Sequence, residues 1–348
     1  MNQASAESTI AKAVKTNQLI DSFGRKHSYL RISVTDRCNL RCTYCMPPQG
    51  VAIKPKAEML TFEEVTRLAN VFVNLGINKI RITGGEPFVR KDLSVLLHNL
   101  RSISGLETLA MTTNGVMLAE NIDDLKHCGL NALNVSLDTL KPERFFSISK
   151  RDEFARVMAG IYRAIDAGFN SVKINCVVMK GINDDEILDF VEFVKNKKAN
   201  IRFIEYMPFP DNQWCEAGLM PYADIKSLIE TQYKLEPTAT EPSAVARDFR
   251  LLAKNGTSPY LGTVSFITSM TDSFCSSCNR LRLTCDGFIK SCLFYQGEIN
   301  LKEALRSGAS DREIERLILE AVWNKPEKHA AAEELATMQN RAMVEIGG

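Results

Sequence analysis

Between residues 29 and 208 the chain repeats one rhythm six times, a short β-branched run followed by an amphipathic stretch of helical period. The runs are Tyr29–Thr35, Lys79–Thr83, Glu107–Thr113, Ala132–Asp138, Ser171–Met179 and Asn200–Pro208. Strands separated by helices return parallel to one another, so the rhythm predicts an α/β fold with helices outside a sheet that is either open or curved into a partial barrel. Local punctuation agrees: Thr61 followed by Glu64 reads as a capping box, and Gly76, Gly129 and Gly168 stand where helices end. Four strands end in small or polar residues: Gly84-Gly85-Glu86-Pro87, Thr112-Thr113-Asn114-Gly115, Ser136-Leu137-Asp138 and Met207-Pro208. Ligands of parallel α/β folds gather at the C-terminal strand ends, so these clusters are expected at one site.

Beyond Pro210 the rhythm breaks. A helix is expected over Pro221–Tyr233, then a Pro/Thr/Glu-rich stretch (Glu236–Pro242), a β-rich segment, and helices near 300–306 and 310–323. The expected division is a flexible N-terminus (1–16), a large unit (17–210), a smaller one (211–326) and a weakly periodic tail (327–348) ending in Gly347-Gly348. Lys plus Arg (43) nearly cancels Asp plus Glu (42), leaving a net charge of +1 and no global field to hold nucleic acid or an anionic membrane. The apolar runs fall short of the roughly 20 residues of a membrane span, and residues 1–16 lack the apolar core of a signal peptide. A cytoplasmic location is the expectation.

The ten cysteines fall mainly into two clusters, Cys38, Cys42 and Cys45 near the start and Cys275, Cys278, Cys285 and Cys292 near the end. In a reduced chain that distribution points to metal. Three thiols within eight residues, directly after the first strand, suit an iron–sulfur cluster with one iron left open; a structural zinc would need a fourth ligand. In the second cluster, Asp286-Gly287 reads as a two-residue hairpin turn that pairs Cys285 with Phe288 and Leu281 with Cys292. Cys292 then returns beside Cys278, while Cys285 lies about 20 Å away at roughly 3.3 Å per residue. Cys275, Cys278 and Cys292 are therefore the expected ligands; a four-cysteine zinc ribbon using Cys285 is the competing reading. Arg280 and Arg282 alternate onto one face beside the metal, where they suit a phosphate-bearing ligand.

The Cys-x-x-x-Cys-x-x-Cys spacing, Tyr44 before the third cysteine and the Gly-Gly-Glu-Pro after the second strand resemble the radical S-adenosylmethionine (SAM) superfamily. CSSCNRLRLTCDG followed by CLF, with the terminal Gly-Gly, is similar to one family within it, the GTP 3′,8-cyclases of molybdenum-cofactor biosynthesis. The likeness runs from about Asp21 to Gly348, departing at Cys285, where a small Ala or Ser is usual, and over Ser243–Tyr260. It implies a partial (β/α)6 barrel whose mouth is closed by a C-terminal α+β subdomain, with two [4Fe–4S] clusters on the two cysteine triads. The first would bind SAM, with contacts from Tyr44, Gly85, Ser136 and Met207. The second would bind the guanine ring of GTP, with Arg31, Arg81, Thr112, Lys173, Arg280, Leu281 and Arg282 as the remaining GTP contacts. A deoxyadenosyl radical would take hydrogen from ribose carbon 3′, and the sugar radical would close onto guanine carbon 8. Arg31, Arg280, Arg282, Gly347 and Gly348 are the expected catalytic group, with the Gly-Gly tail threading into the site where side chains would not fit.

The same resemblance implies a homodimer, an electron donor such as flavodoxin or ferredoxin, and a downstream cyclic pyranopterin monophosphate synthase that takes up the product. Two rivals are a radical SAM enzyme that modifies a peptide and a zinc-bearing interaction module. The NRLRLT run and the Gly-Gly end speak against the first, and the two open triads against the second.

Overall fold

A computed structural model describes residues 18–239, 241 and 243–347; the expectations for residues 1–16 and for Gly348 lie outside the described residues. The six expected strands are present as β1 (Tyr29–Ser33), β2 (Lys79–Thr83), β3 (Thr108–Thr113), β4 (Ala132–Ser136), β5 (Ser171–Val178) and β6 (Asn200–Glu205). All five neighbouring pairs are parallel and follow chain order. The later chain adds β7 (Tyr233–Pro237), β8 (Arg247–Ala253), β9 (Pro259–Ile267), β10 (Arg280–Leu283), β11 (Phe288–Lys290) and β12 (Glu298–Asn300). These extend both edges of the same sheet, β9 lying parallel to β6 and β10 parallel to β1, in the order β12-β11-β10-β1-β2-β3-β4-β5-β6-β9-β8-β7.

Strand alternation divides the sheet into two chemically opposite faces. Leu30, Ile32, Ile80, Ile82, Val172, Ile174 and Leu281 point one way, into an apolar core shared with the helices. Tyr29, Arg31, Lys79, Arg81, Thr112, Asn134, Lys173, Arg202 and Arg282 occupy the other positions, and their polarity keeps helices off that face. The helix Phe62–Asn74 shows how the outer layer forms. Thr61 Oγ1 accepts the Glu64 N–H at 3.2 Å while Glu64 accepts the Thr61 N–H at 2.7 Å, and Val65, Leu68, Ala69 and Phe72 make one buried stripe. Each large apolar side chain in that stripe contributes about 1.5–3 kcal/mol, and Leu68→Ala is expected to cost about 3 kcal/mol.

One expected register is corrected. The hairpin between β10 and β11 closes through three residues, Cys285-Asp286-Gly287, with Thr284 N–H on the Phe288 carbonyl at 2.9 Å and Gly287 at φ 85°. Arg282 pairs with Lys290 and Leu283 with Ile289, one residue away from the two-residue turn. Asp286 accepts the Thr284 hydroxyl at 2.6 Å inside the loop, and the left-handed glycine absorbs the extra residue. The tail, unreadable by periodicity, holds two short helices, Ala332–Thr337 and Met343–Ile346, each too brief to show a helical repeat.

Candidate active site

Three loops at the strand ends are tied to one another around the first triad. Glu86, after β2, is fully buried and accepts the Thr113 hydroxyl at 2.8 Å and the Asn114 N–H at 2.7 Å from the loop after β3. Asn114 Nδ2 in turn donates to Asn39 at 2.7 Å and lies 3.7 Å from Cys38 Sγ. Gly85 permits this closeness, since a Cβ there would stand 2.2 Å from the Arg37 carbonyl oxygen. Tyr44 and Ser136 line one pocket with Cys42 and Asp138. Met207 and Cys45 pack against the same apolar cluster. All four residues expected to contact SAM thus lie around Cys38–Cys45.

The charge environment of this triad is anionic and dry. Burial, then Cys38 and Asp138, pushes the Cys45 thiol up to about 12, and burial followed by Asp138 and its sister thiols holds Cys42 well above the ordinary value. Burial also raises Glu86 to about 7, against three hydrogen-bond donors, and Asp138 to about 6.

The second triad sits among cations. Cys275 and Cys278 flank a single 3-10 turn, with Lys325 Nζ donating to Cys278 Sγ at 3.5 Å and to the Arg280 carbonyl at 2.9 Å. Burial resists ionisation of Cys278, but Arg280 and Lys325 outweigh it and bring the thiol to about 6. Cys275 is lowered as well, burial being overcome by His329. The turn is pinned by Arg25, which donates to the Cys275 carbonyl at 2.8 Å, to Pro326 and Glu327 carbonyls at 2.7 Å each, and to Asp21 at 2.6 Å. Cys285 is buried at the opposite end of the hairpin, where its carbonyl accepts the Leu60 N–H at 2.8 Å.

No three His, Cys, Asp or Glu side chains among the described residues converge on one metal ion. A zinc ion gathers its ligands around one atom, whereas a four-iron cluster takes each thiolate on a different iron and holds them further apart. The donor chemistry of each set, three free cysteine thiols, suits three irons of such a cluster.

Between the triads, the polar face of the sheet carries seven cations: Arg31, Lys79, Arg81, Lys173, Arg202, Arg280 and Arg282. Arg282, Arg31 and Arg81 share one rung of β10, β1 and β2, and Arg280, Tyr29 and Lys79 share the next. All seven are buried or half-buried, yet none is in an ion pair among the described residues. Arg31 Nε, Arg202 Nε and the side-chain oxygens of Asn134 and Asn175 are buried without any partner. Burial, together with mutual repulsion, lowers Arg31 and Arg202 to about 10 and Lys173 to about 8. Tyr29 is the internal acceptor: its hydroxyl takes Arg81 Nε at 2.6 Å, and Arg81, Arg31 and Lys79 overcome burial to pull it down to about 6. Arg81 also reaches the Met111 carbonyl at 2.9 Å and Thr112 Oγ1 at 3.5 Å. Unpaired buried cations are expensive, so a site that keeps seven of them is built for a polyanion.

The tail reaches this ring. The Gly347 carbonyl accepts Arg282 Nη1 at 2.9 Å and Arg31 Nη2 at 3.5 Å, and a Cβ on Gly347 would stand 2.4 Å from Thr83 Oγ1.

Residues 32–194 match the radical SAM superfamily, and residues 199–331 match a family described as Molybdenum Cofactor Synthesis C. A mitochondrial GTP 3′,8-cyclase of Arabidopsis thaliana is 48% identical over 96% of this chain and 84% of its own length. A GTP 3′,8-cyclase of Moorella thermoacetica is 44% identical over 94% of this chain and 99% of its own. The chain belongs to the GTP 3′,8-cyclase family. Human molybdenum cofactor biosynthesis protein 1 is 47% identical over 94% of this chain, which spans about half (51%) of that longer relative. Among solved structures, Streptococcus suis SuiB bound to S-adenosylmethionine superposes with a TM-score of 0.58 over 84% of this chain and 66% of its own, at 16% identity. At that identity the likeness speaks to the fold alone.

For this member of the GTP 3′,8-cyclase family, the sequence reading missed several residues of the ring and its supports. Lys79 and Arg202 carry the signal that found Arg31 and Arg81, a cation on the polar side of a strand, and were legible by register. Tyr29, Lys325, His329 and Arg25 left no such signal, because their roles depend on long-range contacts. Leu281 differs from the expected GTP contacts around it. Strand alternation turns its side chain into the apolar core, so only its main chain could serve the site.

Proposed function

We propose that this chain converts GTP to 3′,8-cyclo-7,8-dihydro-GTP, the first step of molybdenum-cofactor biosynthesis. The observation that carries the reading is the ring of seven cations, none of them paired with a carboxylate among the described residues, on the sheet face that also carries the two incomplete cysteine triads. A triphosphate brings close to four negative charges, which Arg81, Lys173, Lys79 and Arg202 can neutralise locally while the chain stays near neutrality. Cys38, Cys42 and Cys45 would hold one [4Fe–4S] cluster, with Tyr44, Gly85, Ser136 and Met207 around its SAM. Cys275, Cys278 and Cys292 would hold the other. The clusters and SAM supply the radical and the electrons. The chain's own part is geometric: Arg31, Arg280 and Arg282 orient the nucleotide, Thr112 fixes Arg81, and the apolar tail excludes water.

This reading takes the sheet as a partial (β/α)6 barrel over 17–210, with 211–326 closing its mouth and 327–348 entering it. It also takes the protein as a cytoplasmic homodimer, reduced by a flavodoxin or ferredoxin and passing its product to a cyclic pyranopterin monophosphate synthase. No helix among the described residues is long and apolar enough to cross a membrane.

The test is anaerobic incubation of the reconstituted protein with GTP, SAM and a reductant. Loss of GTP with matching formation of 5′-deoxyadenosine and of a product isomeric with GTP is expected. Deoxyadenosine formed while GTP stays intact would leave the radical chemistry and overturn the substrate.

A further inference from the structure

The last turn of the chain is held by charge as well as by packing. Arg341 Nη1 donates to both oxygens of Asp286 at 3.0 and 2.8 Å, and Nη2 donates to Glu298 at 2.6 Å. Its guanidinium lies 4.8 Å from the Phe288 ring. Asp286 sits in the loop between β10 and β11 and Glu298 opens β12, so both carboxylates belong to the arm that carries Cys292. Four residues after Arg341, Glu345 accepts the Ala342 N–H at 3.1 Å, closing the final helical turn. Its other oxygen takes Lys54 Nζ at 3.1 Å. Lys54 belongs to the loop that follows Cys38–Cys45, and its ammonium also stands 3.7 Å from Asp286. The tail is thereby tied to both triad-bearing arms.

Between those ties the apolar residues of the tail fill the gap. Met343 and Ile346 pack with Phe209 and Phe294 in a cluster that also touches Cys45 and Cys292, while Val344 packs with Met46, Cys38 and Cys45. Gly347 follows, with its carbonyl on Arg282.

We propose that Arg341 and Glu345, gripped by Asp286, Glu298 and Lys54, form a latch that seats the end of the chain between the two triads, making Arg341 and Lys54 positioning residues for the cyclisation. The part concerning turnover rests on the cyclase reading above. The geometry favours a latch over ordinary surface pairing. Arg341 shares Nη1 between both oxygens of one carboxylate and places Nη2 on a second, its side chain is 21% exposed, and its two partners are 8% and 12% exposed. Seating must be accurate because a shift of about 1 Å in Gly347 breaks its bond to Arg282, a residue that the substrate also needs.

The experiment uses the full chain, reconstituted anaerobically, as wild type, Arg341→Ala, Arg341→Lys and Lys54→Ala. Arg67→Ala, which breaks the exposed Arg67–Asp311 pair on the outer helices, is the control. Three quantities are read: carboxypeptidase release of the C-terminal residues, kcat and KM for GTP, and the thermal midpoint. Arg341→Ala is expected to raise the release rate and lower kcat, each by about tenfold, with Lys54→Ala following in weaker form and Arg341→Lys recovering part of both. The thermal midpoint of Arg341→Ala is expected to fall because two mostly buried carboxylates lose their partner, so rates are compared well below it, and the control should stay near wild type. An unchanged release rate in Arg341→Ala overturns the latch, and faster release at undiminished kcat overturns the positioning role. GTP left intact by wild type while the variant tail is cut faster sinks the cyclase reading and keeps the latch.

Discussion

The two cysteine triads have the same donor count and opposite surroundings. Burial raises the thiols of Cys38, Cys42 and Cys45, with Glu86 adding to it at Cys38 and Asp138 at Cys42 and Cys45; Cys275 and Cys278 sit beside Arg280, Lys325 and His329, which draw their thiols down. The difference follows from what each triad must accompany. The first shares its strand ends with Tyr44, Ser136 and Asp138, in a pocket whose described lining includes no cation; Arg41, in the same loop, turns to the Cys38 and Leu40 carbonyls. The second borders the cation ring, and Arg280 serves both its thiols and the anion site. The first triad must therefore lose protons as it acquires a cluster, whereas Cys278 of the second is already largely thiolate at neutral pH.

The largest expected effect separates the triads by function. Cys42→Ala or Cys45→Ala should remove about four of about eight irons and end deoxyadenosine formation, a loss of at least roughly 10³ in rate. Cys278→Ala should also halve the iron but leave SAM cleavage measurable while GTP persists. Iron analysis with product chromatography checks both, and GTP-dependent turnover in Cys278→Ala would break the division of labour.

Next in size is the cation ring. On the proposed cyclase reading, Arg282→Ala removes a nucleotide donor as well as the donor to the Gly347 carbonyl, and kcat/KM should fall about a hundredfold, near 3 kcal/mol. Arg202→Ala, deeper in the sheet, should weaken GTP binding by about tenfold and leave SAM cleavage intact. Isothermal titration against GTP, GDP and guanosine distinguishes a phosphate contact from general damage, because only the phosphates should carry the loss.

In metal-free protein the contrast becomes a pH profile. With Cys278 near 6 and Cys45 near 12, iodoacetamide at pH 7 should label Cys278 at least about a hundredfold faster; below pH 6 the Cys278 rate itself should fall about tenfold per pH unit as its thiolate is protonated, while its lead over Cys45 persists. Lys325→Met removes a cation that stabilises the thiolate, so the midpoint should move up by about one pH unit. Peptide mass spectrometry over a pH series reads both values. Equal labelling of the two triads would remove the electrostatic difference.

The parts of this molecule that sequence exposed are the parts governed by local pattern. Six βα units, the capping box at Thr61 and the hairpin around Asp286 rest on periodicity and turn chemistry that act over a few residues. Arg31, Arg81 and Lys173 were legible because a cation on the inward side of a parallel strand stands out against β-branched neighbours. The hairpin register slipped by one because Asp-Gly turns close with two or three residues, and here the Thr284–Asp286 hydrogen bond and the left-handed Gly287 form the longer loop. Lys325 beside Cys278, Arg25 on the Cys275 carbonyl and Arg341 on Asp286 join residues 47, 250 and 55 positions apart, and no local rule pairs them.

The smallest effect tests the edge of the comparison, the seventh cysteine of the two clusters. Cys285 is 1% exposed, and burial, then Asp36 and Asp286, pushes its thiol up to about 12. It lies at the hairpin loop near the latch, with Lys54 and Arg341 as its nearest cations, rather than beside Lys325. A protonated, buried thiol behaves as a small apolar group, so Cys285→Ala should leave iron content unchanged and cost about 1 kcal/mol. Cys285→Ser keeps the size but buries a hydroxyl, and should cost about 1 to 3 kcal/mol by denaturant titration. Were Cys285→Ser instead to lose half its iron, Cys285 would join the ligands, and the second triad would become a closed four-thiol site with no iron open to a nucleotide.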